Sequence, residues 1–388
     1  MSAAEIYAHD AEPSTAAAPL IVHVIRQFLP NRGGLEDVVS NLARQIIDHG
    51  YRVRVVTLDS LFTDQDTTLP HREMIGGIEV VRIPWSGSTR YPIAPQVFHH
   101  LGDADVIHVH AIDFFFDALA WGRLLHRKPM VVTTHGGFFH TKNYAALKKV
   151  WFQTMTRFSA MAYHKVIGCS MSDLRQFAEI APNRTIVIEN GADIGKFADC
   201  AARTPKRRIL TLGRFSVNKR LEKLIDAMVP LKVSNPDWHL DIVGVEYDLS
   251  RQDLADQIDR LGLADAVTIH VSPDNDTIRG IIAQSSIFAS ASAYEGFGLV
   301  ALEAMSAGLI PVLNGNEAFT TLSERHRQIL LTDFGDTAAA AKAIETAYDR
   351  LETSGPTIRA ELLSDAHAYS WDVVAERYIA VYDEIIGA

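Results

Sequence analysis

Short apolar runs, mostly β-branched, alternate along the chain with longer stretches in which apolar positions recur every three or four residues. The first set of runs is Leu20 to Ile25 (LIVHVI), Arg52 to Leu58 (RVRVVTL), Ile78 to Ile83 (IEVVRI), Asp105 to His110 (DVIHVH), Met130 to His135 (MVVTTH), Lys165 to Ser170 (KVIGCS) and Arg184 to Asn190 (RTIVIEN). Runs that are apolar throughout, instead of at every second position, are strands covered on both faces, and intervening helices make the sheet parallel. A polar stretch from Gly195 to Arg208 interrupts the rhythm, which restarts with ILTLG, WHLDIVG, AVTIHV, SIFAS and LIPVL. The pattern predicts an α/β protein of two doubly wound, Rossmann-like parallel-sheet domains, joined near residues 195–207. Ser370 onward reads as a helix capped by Ser370, with an apolar stripe at Val373, Val374, Tyr378, Val381 and Ile385. The Ala-rich start has acids at Glu5, Asp10 and Glu12 and no basic segment, so it reads as a disordered tail, not a secretory signal. The expected organisation is a tail over 1–19, an N-terminal domain over 20–197, a C-terminal domain over 198–369 and a closing helix over 370–388.

Composition narrows the class. A length of 388 residues suits two domains. With 47% hydrophobic and 22% charged residues, and no run near the ~18 apolar residues that span a bilayer, a soluble cytoplasmic protein is expected. Two cysteines, Cys169 and Cys200, exclude a disulfide framework and a Cys-rich zinc site. The net charge is −10, but Met1 to Cys200 holds 19 basic and 20 acidic residues, against 18 and 27 in the remainder. No acid occurs from Ala118 through Ser172, a span with eight Lys and Arg residues. The first half therefore carries a basic face. No nucleic acid is expected as a partner, and the oligomeric state is not legible.

Ligands of such sheets sit at the carboxyl ends of the strands, so the loops there hold the candidate chemistry. Gly33 and Gly34 follow the first strand and open a helix, where bare backbone and free N–H groups favour close approach of an anion; a plain strand-to-helix turn uses the same residues. Arg214 and Lys219, in LGRFSVNKR, follow the first strand of the second half and suit a diphosphate leaving group, or form a solvated basic loop. In AYEGFGLVALEAMSAGLIPV (Ala293 to Val312), Glu295 falls on the loop after SIFAS. A helix begins near Phe297 or Gly298 and runs to about Ala307, with Glu303 inside it. Free N–H groups at Gly298 and Leu299 can hold phosphate, and the two carboxylates, as pure acceptors, suit sugar hydroxyls; Glu303 could instead be a capping or salt-bridging acid. Sugar, diphosphate and second sugar in that order describe a nucleoside diphosphate sugar. His135, before Gly136 and Gly137, ends a first-domain strand, where a structural and a catalytic histidine are equally placed.

Glu295, Gly296, Phe297, Gly298 and Glu303 resemble the E-x7-E signature of retaining glycosyltransferases of family 4, which have the GT-B fold. Gly33–Gly34, His135, Arg214 with Lys219 and the glutamate pair follow in the family's order from Leu20 to Ile386. The resemblance implies two domains facing a central cleft and a C-terminal helix, led by SWD at Ser370 to Asp372, crossing back to the first domain. RYPIAP (Arg90 to Pro95), IDFFFD (Ile112 to Asp117), THGGFFHT (Thr134 to Thr141), WFQT (Trp151 to Thr154), EYDL (Glu246 to Leu249) and EAMSAGLIP (Glu303 to Pro311) are similar to the α-mannosyltransferases of xanthan and acetan assembly. Those enzymes transfer mannose from GDP-mannose, α-1,3, to a cellobiosyl diphosphate polyprenol at the inner membrane.

Carried over by position, the resemblance implies that Glu295 contacts the donor sugar, Glu303 the ribose, and Arg214 and Lys219 the diphosphate. His135 would lie beside the transferred sugar, and Gly33 and Gly34 would let the acceptor loop approach the bound donor. Phe297, Gly298, Leu299 and, by its place after VIGC, Ser170 complete the donor-binding set. Two departures stand out: Arg220 follows Lys219 where the family usually has Gly, and Val245 and Glu246 follow Gly244 where a second Gly is common. No Asp-x-Asp clamp stands in a suitable loop, so no metal and no cofactor is expected, GDP-mannose being a substrate. Tyr144 to Lys165 sets Leu147, Trp151, Met155 and Phe158 near one helical stripe beside Lys148, Lys149 and Arg157. The stripe suits peripheral binding to the anionic inner face of the plasma membrane, or packing on the sheet as a core helix. A retaining GT-B enzyme using a UDP-sugar, a GT-B epimerase and a non-catalytic nucleotide-sugar-binding scaffold are the rival readings.

Overall fold

The apolar runs become two sheets in the computed structural model, which describes residues 18–31, 33–135 and 149–387. The chain divides into two units, Met1–Ile188 with Tyr378–Ala388, and Glu189–Arg377. Most of the expected tail and the first part of Tyr144 to Lys165 lie outside the described residues.

The first unit contains β1 (Leu20–Val24), β2 (Arg52–Leu58), β3 (Arg72–Ile75), β4 (Ile78–Ile83), the small ribbon strands β5 (Ser86–Ser88) and β6 (Tyr91–Ile93), β7 (Val106–His110), β8 (Met130–Thr133), β9 (Lys165–Gly168) and β10 (Thr185–Val187). Its main sheet runs β10-β9-β8-β7-β1-β2-β4-β3, parallel except for β3, which pairs antiparallel with β4. β1 and β7 are wholly buried, as strands covered on both faces must be. β3 has no apolar run to betray it. Its cue is Gly76–Gly77, whose φ values of 57° and 84° form the kind of two-residue turn that closes a hairpin.

The second unit contains β11 (Arg208–Leu212), β12 (His239–Gly244), β13 (Val267–Val271), β14 (Ile287–Ser290), β15 (Ile310–Asn314) and β16 (Leu330–Thr332). The order is β13-β12-β11-β14-β15-β16, all parallel. Counted within the unit this is 3-2-1-4-5-6, the doubly wound order of nucleotide-binding sheets. Leu210, Ile242, Phe288, Ile310 and Val312 are buried between the helices, each contributing about 1.5–3 kcal/mol of transfer free energy.

The stretch from Gly195 to Arg208, which its polarity suggested was a linker, is packed into the second unit. Phe197 and Ala201 are buried, the Asp199 and Ala201 N–H groups donate to Ser306 O and Ala307 O at 2.8 Å, and Arg359 Nε donates to Asp199 at 2.6 Å. The helix Trp371–Ile386 closes the described chain, its residues from Tyr378 belonging to the first unit. There Tyr378, Val381 and Tyr382 are buried, and the Tyr382 hydroxyl lies 2.7 Å from His108 Nδ1. The buried stripe includes Ala375 and Tyr382, while Val373 is only half-buried.

Candidate functional site

In the second unit strand order reverses between β11 and β14, so the loops leaving these two strands form the ligand edge. They are tied together: Asn218 Nδ2 donates to Tyr294 O at 2.9 Å, and Ala293 N–H donates to Asn218 O at 2.9 Å. Lys219 Nζ then lies 2.6 Å from Glu295 Oε1, with the side chains 19% and 15% exposed. The Lys219 alkyl chain passes over Gly213, where a Cβ would stand 3.3 Å from Cε. A Cβ at Gly244 would stand 1.7 Å from Gly213 O, so the ends of β11 and β12 meet only because residue 244 has no side chain. Arg220 occupies the left-handed region at φ 49°, the conformation that the family's usual glycine adopts without strain. Arg214 is exposed, its guanidinium 4.8 Å over the Tyr247 ring.

Gly298, at φ 88°, supplies no side-chain cap to the helix Leu299–Ala307, whose first turn holds no acid. Its orphan N–H groups and positive dipole end therefore carry no charged complement from that turn. Phe297 is half-buried beside Tyr369, ring centroids 5.9 Å apart, a packing anchor for the loop. Glu303, also half-buried, has its carboxyl pushed up to about 7 by burial, which outweighs the opposing pull of Lys196.

In the first unit the corresponding reversal falls between β1 and β7. Gly33 precedes the helix Gly34–Asp48, whose first turn holds Glu36 and Asp37, so the dipole end that sequence offered to an anion is already complemented by acids. Glu36 folds back to within 2.6 Å of where a Gly33 Cβ would stand, while Gly34 faces open space. Ser170 caps the helix Met171–Ala178, accepting from Asp173 N–H, a structural use that accounts for its presence. His135 has φ 53°; its Nε2 lies 2.9 Å from His110 Nδ1, and burial lowers its pKa to about 3. Gly136 and Gly137 lie outside the described residues.

Sequence reading assigned no role to Asp113, within IDFFFD. It is buried, lies 2.9 Å from Arg26 Nε and caps the helix Phe114–Trp121 by accepting from Phe115 N–H. Burial pushes its carboxyl up to about 7 against the Arg26 charge. Its only sequence signal was an acid standing before an apolar helix start.

The basic segment separates into two faces. Phe152, Thr156, Ser159 and Ala160 are buried, whereas Trp151 is 45% and Phe158 64% exposed. Lys149 and Arg157 are exposed beside them, and Met155 is half-buried. Lys148 and Leu147 lie outside the described residues. Of the stripe's described residues, Trp151 and Phe158 therefore face outward. Trp121 Nε1 donates to Ser159 Oγ at 3.1 Å, which joins it to a second exposed group, Leu124 at 85% and Leu125 at 78%, with Arg123 and Arg127 alongside. No helix among the described residues is long and apolar enough to cross a membrane.

Comparison with known proteins agrees with this architecture. Residues 32–196 match Glycosyltransferase Family 4, and residues 196–354 match Glycosyl transferases group 1. A GDP-mannose:cellobiosyl-diphosphopolyprenol alpha-mannosyltransferase of Komagataeibacter xylinus is 42% identical over 95% of this chain and 93% of its own; one from Xanthomonas campestris is 42% identical over 95% and 97%. Among solved structures, a glycosyltransferase from Rickettsia africae superimposes with a TM-score of 0.70 over 96% of this chain and 99% of its own, at 16% identity, a likeness of fold alone. Two parallel-sheet units, both family segments in order and relatives this similar over nearly the whole length lead to one conclusion: the chain belongs to the GT-B glycosyltransferases of family 4.

Proposed function

We propose that the protein transfers α-mannose, with retention and to a 3-hydroxyl, from GDP-mannose to a cellobiosyl diphosphate polyprenol in exopolysaccharide assembly. The observation that carries the chemistry is the pairing of Lys219 and Glu295 at 2.6 Å where the second unit's strand order reverses. The donor and acceptor rest on the 42–43% identity to relatives bearing that name. Lys219 and Arg214 take up the charge that develops on the departing diphosphate, the term that dominates phosphate-leaving reactions. The uncapped turn at Gly298 and Leu299 binds a phosphate oxygen through backbone N–H groups. Glu295 accepts from hydroxyls of the mannose and Glu303 from those of the ribose. In the first unit, His135 bonds a sugar oxygen, and Gly33, Gly34 and Ser170 border the substrate side, Gly34 offering open backbone.

Two cations on the donor loops supply the charge that a divalent ion supplies elsewhere, so transfer proceeds without metal; full activity in excess chelator is the expected result, and loss restored by Mg²⁺ or Mn²⁺ would refute it. The enzyme works at the cytoplasmic face of the plasma membrane, held there by its outward-facing basic and aromatic segment. The deciding experiment offers labelled GDP-mannose, UDP-glucose and UDP-N-acetylglucosamine with a lipid-linked cellobiose. Mannose alone should move; transfer of a UDP-sugar, or of nothing, would overturn the proposal.

A further inference from the structure

The first unit buries histidines that the reaction as proposed does not use. His23 on β1 and His110 on β7 are almost wholly buried, with His23 Nδ1 2.8 Å from His110 Nε2. The other nitrogen of His110, Nδ1, lies 2.9 Å from His135 Nε2. His135 is partly exposed, and its remaining nitrogen, Nδ1, lies 3.7 Å from Cys169 Sγ, a weak contact that a sugar oxygen can replace.

A neutral imidazole has one N–H, so two contacts in series leave only two arrangements. In one, His110 Nε2–H donates to His23 and His135 Nε2–H donates to His110; His23 must then carry its proton on Nε2. That atom is buried and has no hydrogen-bond partner among the described residues. In the other, His23 Nδ1–H donates to His110 Nε2, and His110 Nδ1–H donates to His135 Nε2, which leaves at His23 Nε2 only an unused lone pair. A buried N–H without an acceptor is rarer and costlier than an acceptor left unfilled. The second arrangement is therefore the favoured one, and it puts the His135 proton on Nδ1. Desolvation keeps the chain uncharged, lowering His23 and His135 to about 3 and His110 well below the usual imidazole value.

His23, His108 and His110 also bring ring nitrogens within 4.8 Å of one another. Both His108 nitrogens are already bonded, to Tyr382 and Thr133 at 2.7 Å, both His110 nitrogens face other imidazoles, and the trio contains no anion to offset a buried dication. A metal is not what this geometry favours.

We propose that His23 and His110 are positioning residues, a tautomer relay that holds His135 in the neutral Nδ1–H form, so that it offers a sugar oxygen a hydrogen-bond donor and does not act as a base. The inference rests on the proposed contact of His135 with sugar. Long-range ¹H–¹⁵N correlation of ¹⁵N-histidine-labelled protein at neutral pH should show His135 protonated on Nδ1. His110→Leu should shift that pattern towards Nε2–H and lower turnover at least about tenfold, as wrong-tautomer variants do, with the donor KM little changed. His110→Asn, whose amide N–H stands near the Nδ1 position, should restore both; it also serves if His110→Leu fails to fold. An Nε2–H pattern in the parent protein, an unchanged pattern in both variants, or stoichiometric zinc released by His23→Ala would overturn the relay. The spectrum reads the tautomer whether or not mannose moves, so failure of the proposed transfer is distinguishable from failure of the relay.

Discussion

Lys219 and Glu295 hold one another at 2.6 Å with little exposure, so removing either leaves a poorly solvated charge behind as well as removing a proposed substrate contact. Lys219→Ala is expected to lower turnover roughly ten- to a thousandfold, the cost of one charge-stabilising group, in a steady-state transfer assay; normal turnover would take Lys219 out of the mechanism. Glu303 sets a pH dependence. Its carboxyl is raised to about 7 by burial, from an ordinary value near 4.5, so the protonated form contributes stability that is complete below about pH 4.5 and is lost as the pH climbs through about 7. Denaturant unfolding of the parent should therefore weaken between about pH 4.5 and 7 by up to about 3 kcal/mol on this account, and Glu303→Gln should flatten the decline; parallel curves would show the carboxyl to be ionised throughout. That Glu295 stands on the loop before a helix and Glu303 inside that helix was legible from the residue pattern alone. Their ionic surroundings were not, because Lys196 and Lys219 reach them from segments remote in sequence.

At the scale of elements, most strands were legible because a doubly wound sheet buries both faces and so requires unbroken apolar runs. β3 and β16 escaped, being edge strands only half-buried at best, as did the three-residue ribbon strands β5 and β6. The pairing of the β11 and β14 loops was equally hidden: β14 lies beside β11 although β12 and β13 intervene in sequence, and spatial order is set by packing of the whole sheet. The Trp151 to Met161 segment has a buried and an exposed side that the periodic pattern alone does not tell apart. Its Phe152 and Ala160 side is buried, and its Trp151 and Phe158 side is exposed. Since each basic residue near an anionic surface adds about 1 kcal/mol, the parent should float with liposomes containing phosphatidylglycerol, and a Lys148→Glu, Lys149→Glu variant should float much less. Equal flotation would sink the membrane reading.

At the scale of the molecule, the helix Trp371–Ile386 makes the units unequal in independence. Glu189–Arg377 is continuous, whereas the first unit is completed by residues from Tyr378 onward. Deleting those residues removes the buried Tyr378, Val381 and Tyr382 and leaves His108 Nδ1 without the Tyr382 hydroxyl, at several kcal/mol by analogy with other large core truncations. Hydrogen exchange should show amides of β7 and β8 losing protection while β11 to β15 keep theirs; equal loss in both units would refute the assignment. A return of the terminal helix to the first domain was expected, but nothing in its stripe named the partner side chains, because a stripe records burial and not what it is buried against.

The same helix bears on biosynthesis. The segment that completes the first unit leaves the ribosome only after all of Glu189–Arg377 has done so. At about 5–20 residues per second, that is a delay of roughly 10 to 40 s. Throughout it, the nascent first unit presents the apolar surface that Tyr378, Val381 and Tyr382 later cover, and the His108 nitrogen that awaits Tyr382. During translation the unit made first is therefore the one finished last, and it is in that interval that a holding chaperone has an exposed surface to grip.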